Sequence, residues 1–355
     1  MDSTRARKFW ISAKIKLSSN QRIAIDAMGG DGGIEVTVPA AVQALENNPD
    51  LTLYLVGDEN RIGPLLSSGS EKLRSRIELV HTEFRVGDEE KPASVLRSGK
   101  QSSMYMAVEL VKSGAVQAMV SAGNTGALLL IGRHLLKTIK GIRKPAIVAT
   151  IPGASRQSYL LDVGANLECD GAQLFEFAVM GAVLAESLNR LPPRVGLLNI
   201  GSEQYKGTEE VRLAGELLER CAAIDYVGFI EANALFEGMA DVVVCDGFVG
   251  NVTIKASAGV ANVVNQLLAN QIAENWLSRL KGFFSASMLT RLRAQINPNR
   301  FNGASLLGLQ GIIVKSHGNA TSEGFTYAIY QAIKEVENQV PQLIAERVAA
   351  IIEAN

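Results

Sequence analysis

Six short loops hold most of the chemistry-bearing residues, and each follows an apolar run. Ile25 leads into Asp26-Ala-Met-Gly29-Gly30-Asp31-Gly-Gly33, Val120 into Ser121-Ala-Gly123-Asn124-Thr125-Gly126, and Leu161 into Asp162-Val-Gly-Ala-Asn166. Leu198 leads into Asn199 and on to Lys206-Gly207, Val244 into Cys245-Asp246-Gly-Phe-Val-Gly-Asn251, and Val314 into Lys315-Ser-His317-Gly-Asn319. Glycine lets a backbone approach a ligand closely, and the small polar residues beside it supply donors. In open α/β sheets ligands bind at the carboxyl ends of strands. One such loop is an ordinary turn, but six in one chain exceed what turn chemistry accounts for.

Ser121–Gly126 opens a helical stretch continuing to Lys137, so its amides and the helix dipole suit an anion the size of phosphate. No G-x-x-x-x-G-K-[ST] loop, G-x-S-x-G elbow or H-E-x-x-H pair occurs, and Gly29–Gly33 spells GGDGG rather than G-x-G-x-x-G. Nucleotide kinases, the usual Rossmann dehydrogenases, α/β-hydrolases and zinc peptidases therefore lose support. A phosphate site without nucleotide machinery remains. His317, between Lys315 and Asn319, is the candidate acid–base residue, with a histidine bonded inside a turn as the alternative. His81 and His134 lack such surroundings and read as structural. Asp26, Asp31, Asp162 and Asp246 read as residues that fix loops through amide hydrogen bonds, not as metal ligands.

These loops need strands behind them. β-branched runs predict strands over Arg22–Met28, Thr52–Val56, Ile77–Thr82, Ala118–Ser121, Ala146–Ile151, Ser158–Val163, Val195–Ile200, Tyr226–Glu231, Val242–Cys245 and Gly311–Ser316. Helical patterns over Met104–Lys112, Thr125–Lys137, Asp170–Asn189 and Glu209–Ala222 alternate with them, and Thr321–Glu337 and Gln342–Glu353, split by Pro341, close the chain. The alternation predicts a three-layer α/β/α body around a mostly parallel sheet. Residues 22–355 read as one catalytic domain, with a helical protrusion near 252–300. Apolar residues at Ile254, Ala258, Ala261, Val264, Leu268, Ile272, Trp276 and Leu280 mark one long helix there. Its Ile254–Leu268 part is expected in the core, and its continuation to Leu292 at the surface.

The chain has 355 residues, 47% of them hydrophobic, and a net charge of −1, which argues against a nucleic-acid partner. Three separated cysteines, Cys169, Cys221 and Cys245, fit neither a zinc site nor a disulfide framework and suit a reducing compartment. The apolar runs near Ala127–Gly132 and Phe177–Ala185 break too soon, at Arg133 and Glu186, to cross a bilayer. Charge is nonetheless uneven. Residues 1–21 read as a poorly ordered basic extension, and from Asn275 to Ser322 there is no acid, while Arg279, Lys281, Arg291, Arg293, Arg300 and Lys315 are present. With Phe283 and Phe284 beside them, these cations mark a surface for an acidic protein or an anionic bilayer.

The motifs IAIDAMGGDGG, RSGKQSSMYMAVELVKSG, VSAGNTGALL, LLDVGANLEC, LLNIGSEQYKG, VVVCDGFVGNVTIK and GASLLGLQGIIVKSHGN, in this order, resemble the bacterial phosphate acyltransferase family of phospholipid synthesis, the PlsX family. The resemblance runs from Arg22 to about Glu337. Ser202 stands where the family pattern has an acid, and HGNATSEG replaces a serine-rich form. The resemblance implies a fold similar to isocitrate and isopropylmalate dehydrogenases and to phosphotransacetylase, and a homodimer. It also implies transfer of an acyl group from acyl-acyl-carrier-protein to inorganic phosphate, without a cofactor. The acyl phosphate then passes to a membrane glycerol-3-phosphate acyltransferase, so the expected location is cytoplasmic and peripheral to the membrane. Under that reading Lys206 holds phosphate together with Ser121, Gly123, Asn124, Thr125 and Gly126. Asn166, Asn251 and Asn319 are candidate donors to the carbonyl oxygen. The competing readings are a phosphotransacetylase-like enzyme using acyl-coenzyme A and a non-catalytic carrier-protein or membrane scaffold, with an isocitrate-type dehydrogenase third.

Overall fold

The structure is a computed structural model that describes residues 20–274 and 298–354, apart from 68, 69, 88, 154, 155 and 190. The basic extension up to residue 19, and Arg279, Lys281, Phe283, Phe284, Arg291 and Arg293, lie outside the described residues. Gln21 belongs to the first strand and is 7% exposed.

The strands are β1 (Gln21–Asp26), β2 (Leu51–Gly57), β3 (Ile77–His81), β4 (Ala118–Ser121), β5 (Ala146–Ile151), β6 (Ser158–Leu161), β7 (Arg194–Asn199), β8 (Asp225–Glu231), β9 (Val242–Val244), β10 (Ala304–Leu307) and β11 (Ile312–Lys315). The helices are α1 (Ile34–Asn47), α2 (Glu59–Leu66), α3 (Glu71–Arg74), α4 (Pro92–Ser98), α5 (Ser103–Lys112), α6 (Thr125–Leu136), α7 (Gly171–Asn189), α8 (Glu209–Arg220), α9 (Gly247–Glu274), α10 (Ser322–Glu337) and α11 (Val340–Ala354). All strands join one sheet in the order β3-β2-β1-β4-β11-β10-β5-β6-β9-β7-β8.

Strands buried on both faces read as unbroken apolar runs, and successive residues serve opposite layers. Ile23 and Ile25 pack with Ile34 and Val38 of α1 and Phe325 and Ile329 of α10. On the same face of the other half, Val148, Leu161, Val195 and Val242 pack under Phe177 and Met180 of α7, with Leu218 of α8 and Ile344 of α11. Ala24, Met119, Leu160 and Ile313 turn the other way, toward Val108 of α5 and Leu128 and Ile131 of α6. Side-chain caps begin several helices: Ser102 on Tyr105 N at 3.3 Å, Asn124 on Ala127 N at 3.0 Å and Thr321 on Gly324 N at 3.2 Å. Each cap satisfies an otherwise orphaned donor and contributes about 1 kcal/mol.

The sheet is mostly parallel, with one break that decides where the loops go. β10, absent from the expected strands, lies between β11 and β5 and is antiparallel to both, and β5 is antiparallel to β6. Consequently β1, β4 and β11 run one way, and β6, β9 and β7 the other. The six polar loops leave the sheet as two groups of three at opposite edges, not as one row. Ala304–Leu307 escaped recognition because its Ala-Ser-Leu-Leu sequence holds no β-branched residue, the signal by which the other strands are read.

Three helix expectations also change. Ile254 packs on the core, but further along the expected stripe Ala258, Ala261 and Val264 (45% accessible) are exposed. An apolar stripe at helical spacing looks the same whether or not the chain itself covers it. Gly171–Asn189 is, by length and composition, long and apolar enough to cross a membrane, yet most of it is buried between the sheet and its neighbouring helices. The terminal helix starts at Val340 rather than Gln342, because Pro341 sits in the first turn, where no backbone N–H is required.

Ile313 is fully buried at the centre of the sheet. Replacing it with alanine should lower unfolding free energy by about 2–5 kcal/mol, and Ile313→Val by about 1 kcal/mol, measured by urea titration.

Candidate active site

At the first edge, the loops after β1, β4 and β11 are built around Asp26, which is 1% exposed. Its Oδ1 accepts a hydrogen bond from Ser103 Oγ at 2.6 Å and its Oδ2 one from Ser121 Oγ at 2.6 Å. Ser121 Oγ in turn accepts from Gly123 N at 3.0 Å. Burial pushes the Asp26 carboxyl above its usual range, while the two serines oppose that shift. Side chains are excluded from the gap between loops. A Cβ on Gly29 would lie 2.6 Å from Asp26 Oδ2 and 2.9 Å from Gly123 N, and one on Gly30, at φ 82°, would lie 2.8 Å from Gly318 O.

Asn124 turns the β4 loop into α6. Its Oδ1 accepts from Ala127 N at 3.0 Å, and its Nδ2 reaches Glu90 O at 3.4 Å. Thr125 follows with an exposed side chain. Ser121 and Asn124 are thus occupied in shaping this loop, leaving first-turn amides and the Thr125 hydroxyl to face an anion. The third loop closes on the same point. Ser316 N donates to Ser121 O at 2.8 Å, Asp31 N donates to Gly318 O at 2.9 Å, and Lys315 Nζ donates to Ala122 O at 3.1 Å and to Ser316 O.

His317 is exposed at this edge, and Asn319 lies exposed just beyond it. Partial desolvation and then the positive charge of Lys315 hold the imidazole below its ordinary value, favouring the neutral base near pH 7. Its backbone is fixed by a residue that sequence reasoning missed. Asn302 is 6% exposed, accepts from His317 N at 3.0 Å and Gly303 N at 3.0 Å, and donates to Ser316 Oγ at 2.8 Å. Ser103 and Lys315 also belong to this site without having been assigned to it. Ser103 lies 77 positions from Asp26, and nothing local signals that it points there.

The second edge carries Asp162, Asn166, Lys206, Asp246 and Asn251. Asp162 is fully buried and accepts five hydrogen bonds: Oδ1 from Ile147 N, Gly164 N and Ala165 N at 3.0–3.1 Å, and Oδ2 from Asn166 N at 2.7 Å and Asn166 Nδ2 at 2.9 Å. Asn166 Nδ2 also donates to Pro145 O at 2.8 Å, and Asn251 Nδ2 to Val163 O at 3.0 Å. The expectation that Asn166 donates to an acyl carbonyl therefore fails in this chain, since both its amide hydrogens are engaged; Asn251 retains one. Asp246 Oδ1 accepts from Val249 N at 2.8 Å and starts α9. The loop is tight: a Cβ on Gly250 would lie 1.8 Å from Asp162 O.

Lys206 is paired with Glu203, Nζ to Oε2 at 2.9 Å, and its carbonyl accepts from Asn199 Nδ2 at 3.1 Å. The lysine holds the Glu203 carboxyl below its ordinary value. Lys206 thus sits after β7, at the edge opposite Ser121, Asn124 and Thr125. Among the described residues, Lys315 is a cation that the fold does bring to the phosphate-type loop, through its bond to Ala122 O. Of the cationic surface expected downstream, Arg300 is described, exposed beside β10.

Comparison with known proteins agrees with this architecture. A family model described as "Fatty acid synthesis protein" matches residues 21–343. The phosphate acyltransferase of Halorhodospira halophila is 48% identical over 339 residues, covering 95% of this chain and 99% of that protein. That of Legionella pneumophila (strain Paris) is 44% identical over 330 residues, covering 93% and 96%. Among solved structures, a phosphotransacetylase from Streptococcus pyogenes superposes with a TM-score of 0.61 at 17% identity, covering 95% of this chain and 99% of that one, a likeness of fold. With the whole sheet and both sets of strand-end loops inside the matched region, the chain belongs to the phosphate acyltransferase family of fatty-acid and phospholipid synthesis, as an acyltransferase acting on phosphate.

Proposed function

We propose that this acyltransferase takes a long-chain acyl group from acyl-acyl-carrier-protein and gives it to inorganic phosphate, releasing the carrier protein and an acyl phosphate for phosphatidic acid synthesis. The observation that carries this reading is the meeting, at one sheet edge, of an open helix N-terminus, the Lys315 ammonium and the neutral His317 imidazole.

Phosphate is already an anionic nucleophile and a thiolate leaves readily, so the protein's work is positioning and charge stabilisation. The first-turn amides of α6 and the Thr125 hydroxyl hold phosphate oxygens, and Lys315 offsets their charge. One phosphate oxygen attacks the thioester carbonyl carbon, and His317 accepts the proton a monoanionic phosphate must lose. The tetrahedral oxyanion then collapses, the carbon–sulfur bond breaks, and the carrier thiol takes up a proton. Asn302 acts as a positioning residue through the His317 backbone.

The proposed partners rest on charge and exposure. The acid-free sequence from Asn275 to Ser322 complements an acidic carrier protein and an anionic membrane surface, which would place a cytoplasmic enzyme beside the membrane acyltransferase that consumes its product. The exposed apolar length of α9 supports a homodimer.

The reading is tested by mixing the protein with phosphate and palmitoyl-acyl-carrier-protein and trapping acyl phosphate with hydroxylamine. Phosphate-dependent hydroxamate is expected, and product from acetyl-coenzyme A alone would move the donor to the coenzyme A class. Lys315→Met should lower turnover about a hundredfold with the fold intact by circular dichroism. The pH dependence has a definite sign. His317 works as a neutral base with a lowered pKa, so its contribution is present at neutral pH and lost as pH falls through that pKa. The ratio of wild-type to His317→Gln rates, from which the titration of phosphate itself cancels, should stay constant above about pH 7 and fall toward one only as the pH drops below the ordinary imidazole range.

A further inference from the structure

On the α1–α10 face of the sheet, away from the strand-end loops, a cavity of about 530 Å³ opens between α10 and the end of α7. That size lies within the range of roughly 300–1,000 Å³ usual for small-molecule sites. Tyr159 of β6 forms part of its lining and is 4% exposed, and none of the hydrogen bonds among the described residues uses its hydroxyl. Burial pushes that phenol up to about 12, so it remains a hydroxyl at any physiological pH. A phenol hydroxyl lining a cavity can both donate to and accept from a ligand there.

The polar lining continues around it. Gln331 contributes its carboxamide while Nε2 is held by Glu335 Oε1 at 2.8 Å, and Glu335, behind the wall and 2% exposed, also accepts from Ser305 Oγ. Burial raises the Glu335 carboxyl to about 7, so its negative charge is reduced near neutral pH. Tyr327 and Tyr330, packed edge to face with ring centres 5.8 Å apart, supply aromatic faces. At the mouth stand two exposed cations, Arg300 and Lys334, against one carboxylate, Glu337, which accepts from Gln21 Nε2 at 2.7 Å. Hydroxyl and amide groups inside, aromatic faces for C–H surface and positive charge at the rim match one chemical class.

We propose that this cavity binds a hydroxyl-rich organic phosphate of sugar-phosphate size, its hydroxyls on Tyr159 and Gln331 and its phosphate at the Arg300–Lys334 mouth. The site is separate from the strand-end loops that take inorganic phosphate. Asn302, which lines this cavity and holds His317 N, joins the two.

Calorimetric titration of the full-length protein with ribose 5-phosphate, and separately with inorganic phosphate, tests this. Ribose 5-phosphate should bind saturably below about 1 mM, and Tyr159→Phe should weaken it about fivefold without altering inorganic phosphate binding. Lys334→Ala, at an exposed position that the fold does not need, should weaken ribose 5-phosphate by a similar factor. Absence of saturable binding would overturn the proposal. Equal affinity in the wild type and both variants would also overturn it, by placing the sugar phosphate in the strand-end loops.

Discussion

One buried carboxylate organises the first edge of this protein. Asp26 ends the β1 strand with almost no exposure, and a charge so placed is tolerated only when its oxygens are satisfied. Ser103 and Ser121 satisfy one oxygen each, so three segments distant in sequence are fixed to one point. Ser121 passes the constraint on to Gly123 N, and the backbone there sets the direction in which α6 begins. Without Asp26 the two hydroxyls would lose their acceptor inside the core. A buried polar group left without a partner costs about 1–3 kcal/mol, and here the loss would fall on the loop that faces phosphate.

The second constraint is topological. Inserting β10 antiparallel between β11 and β5, and reversing again at β6, divides a largely parallel sheet into two runs of opposite sense. Each run builds its own set of strand-end loops, and each set is tied by a buried aspartate, Asp26 in one and Asp162 in the other. The two aspartates solve the same problem differently. Asp26 is met by hydroxyls from two other segments, Asp162 mainly by the amides of its own loop. The first arrangement locks elements together, and the second stiffens a turn.

This contrast explains what could be read from the sequence. The loops themselves were legible, because glycine beside small polar residues after an apolar run has few other uses. The strands were legible because two-sided burial leaves unbroken β-branched runs. Strand direction was not, since an antiparallel Ala304–Leu307 has the same composition as a parallel one. Lys206 illustrates the consequence: its loop resembles a phosphate loop, but the reversal puts it at the other edge, against Glu203. Ser103 and Asn302 act across long sequence separations through a single side chain, and nothing local marks such residues. The misplacement of α9 has the opposite cause, since its periodicity was clear but did not say whether the covering surface belongs to the same chain.

The account depends on phosphate being the nucleophile, with no acyl group carried on a protein side chain. The most direct measurement is isotope exchange between labelled free carrier protein and palmitoyl-acyl-carrier-protein in the complete absence of phosphate. Direct attack by phosphate predicts no exchange until phosphate is added. Exchange without phosphate would show that the acyl group rests on the protein first, and would contradict the assignment of His317, Lys315 and the α6 amides to activating and holding phosphate.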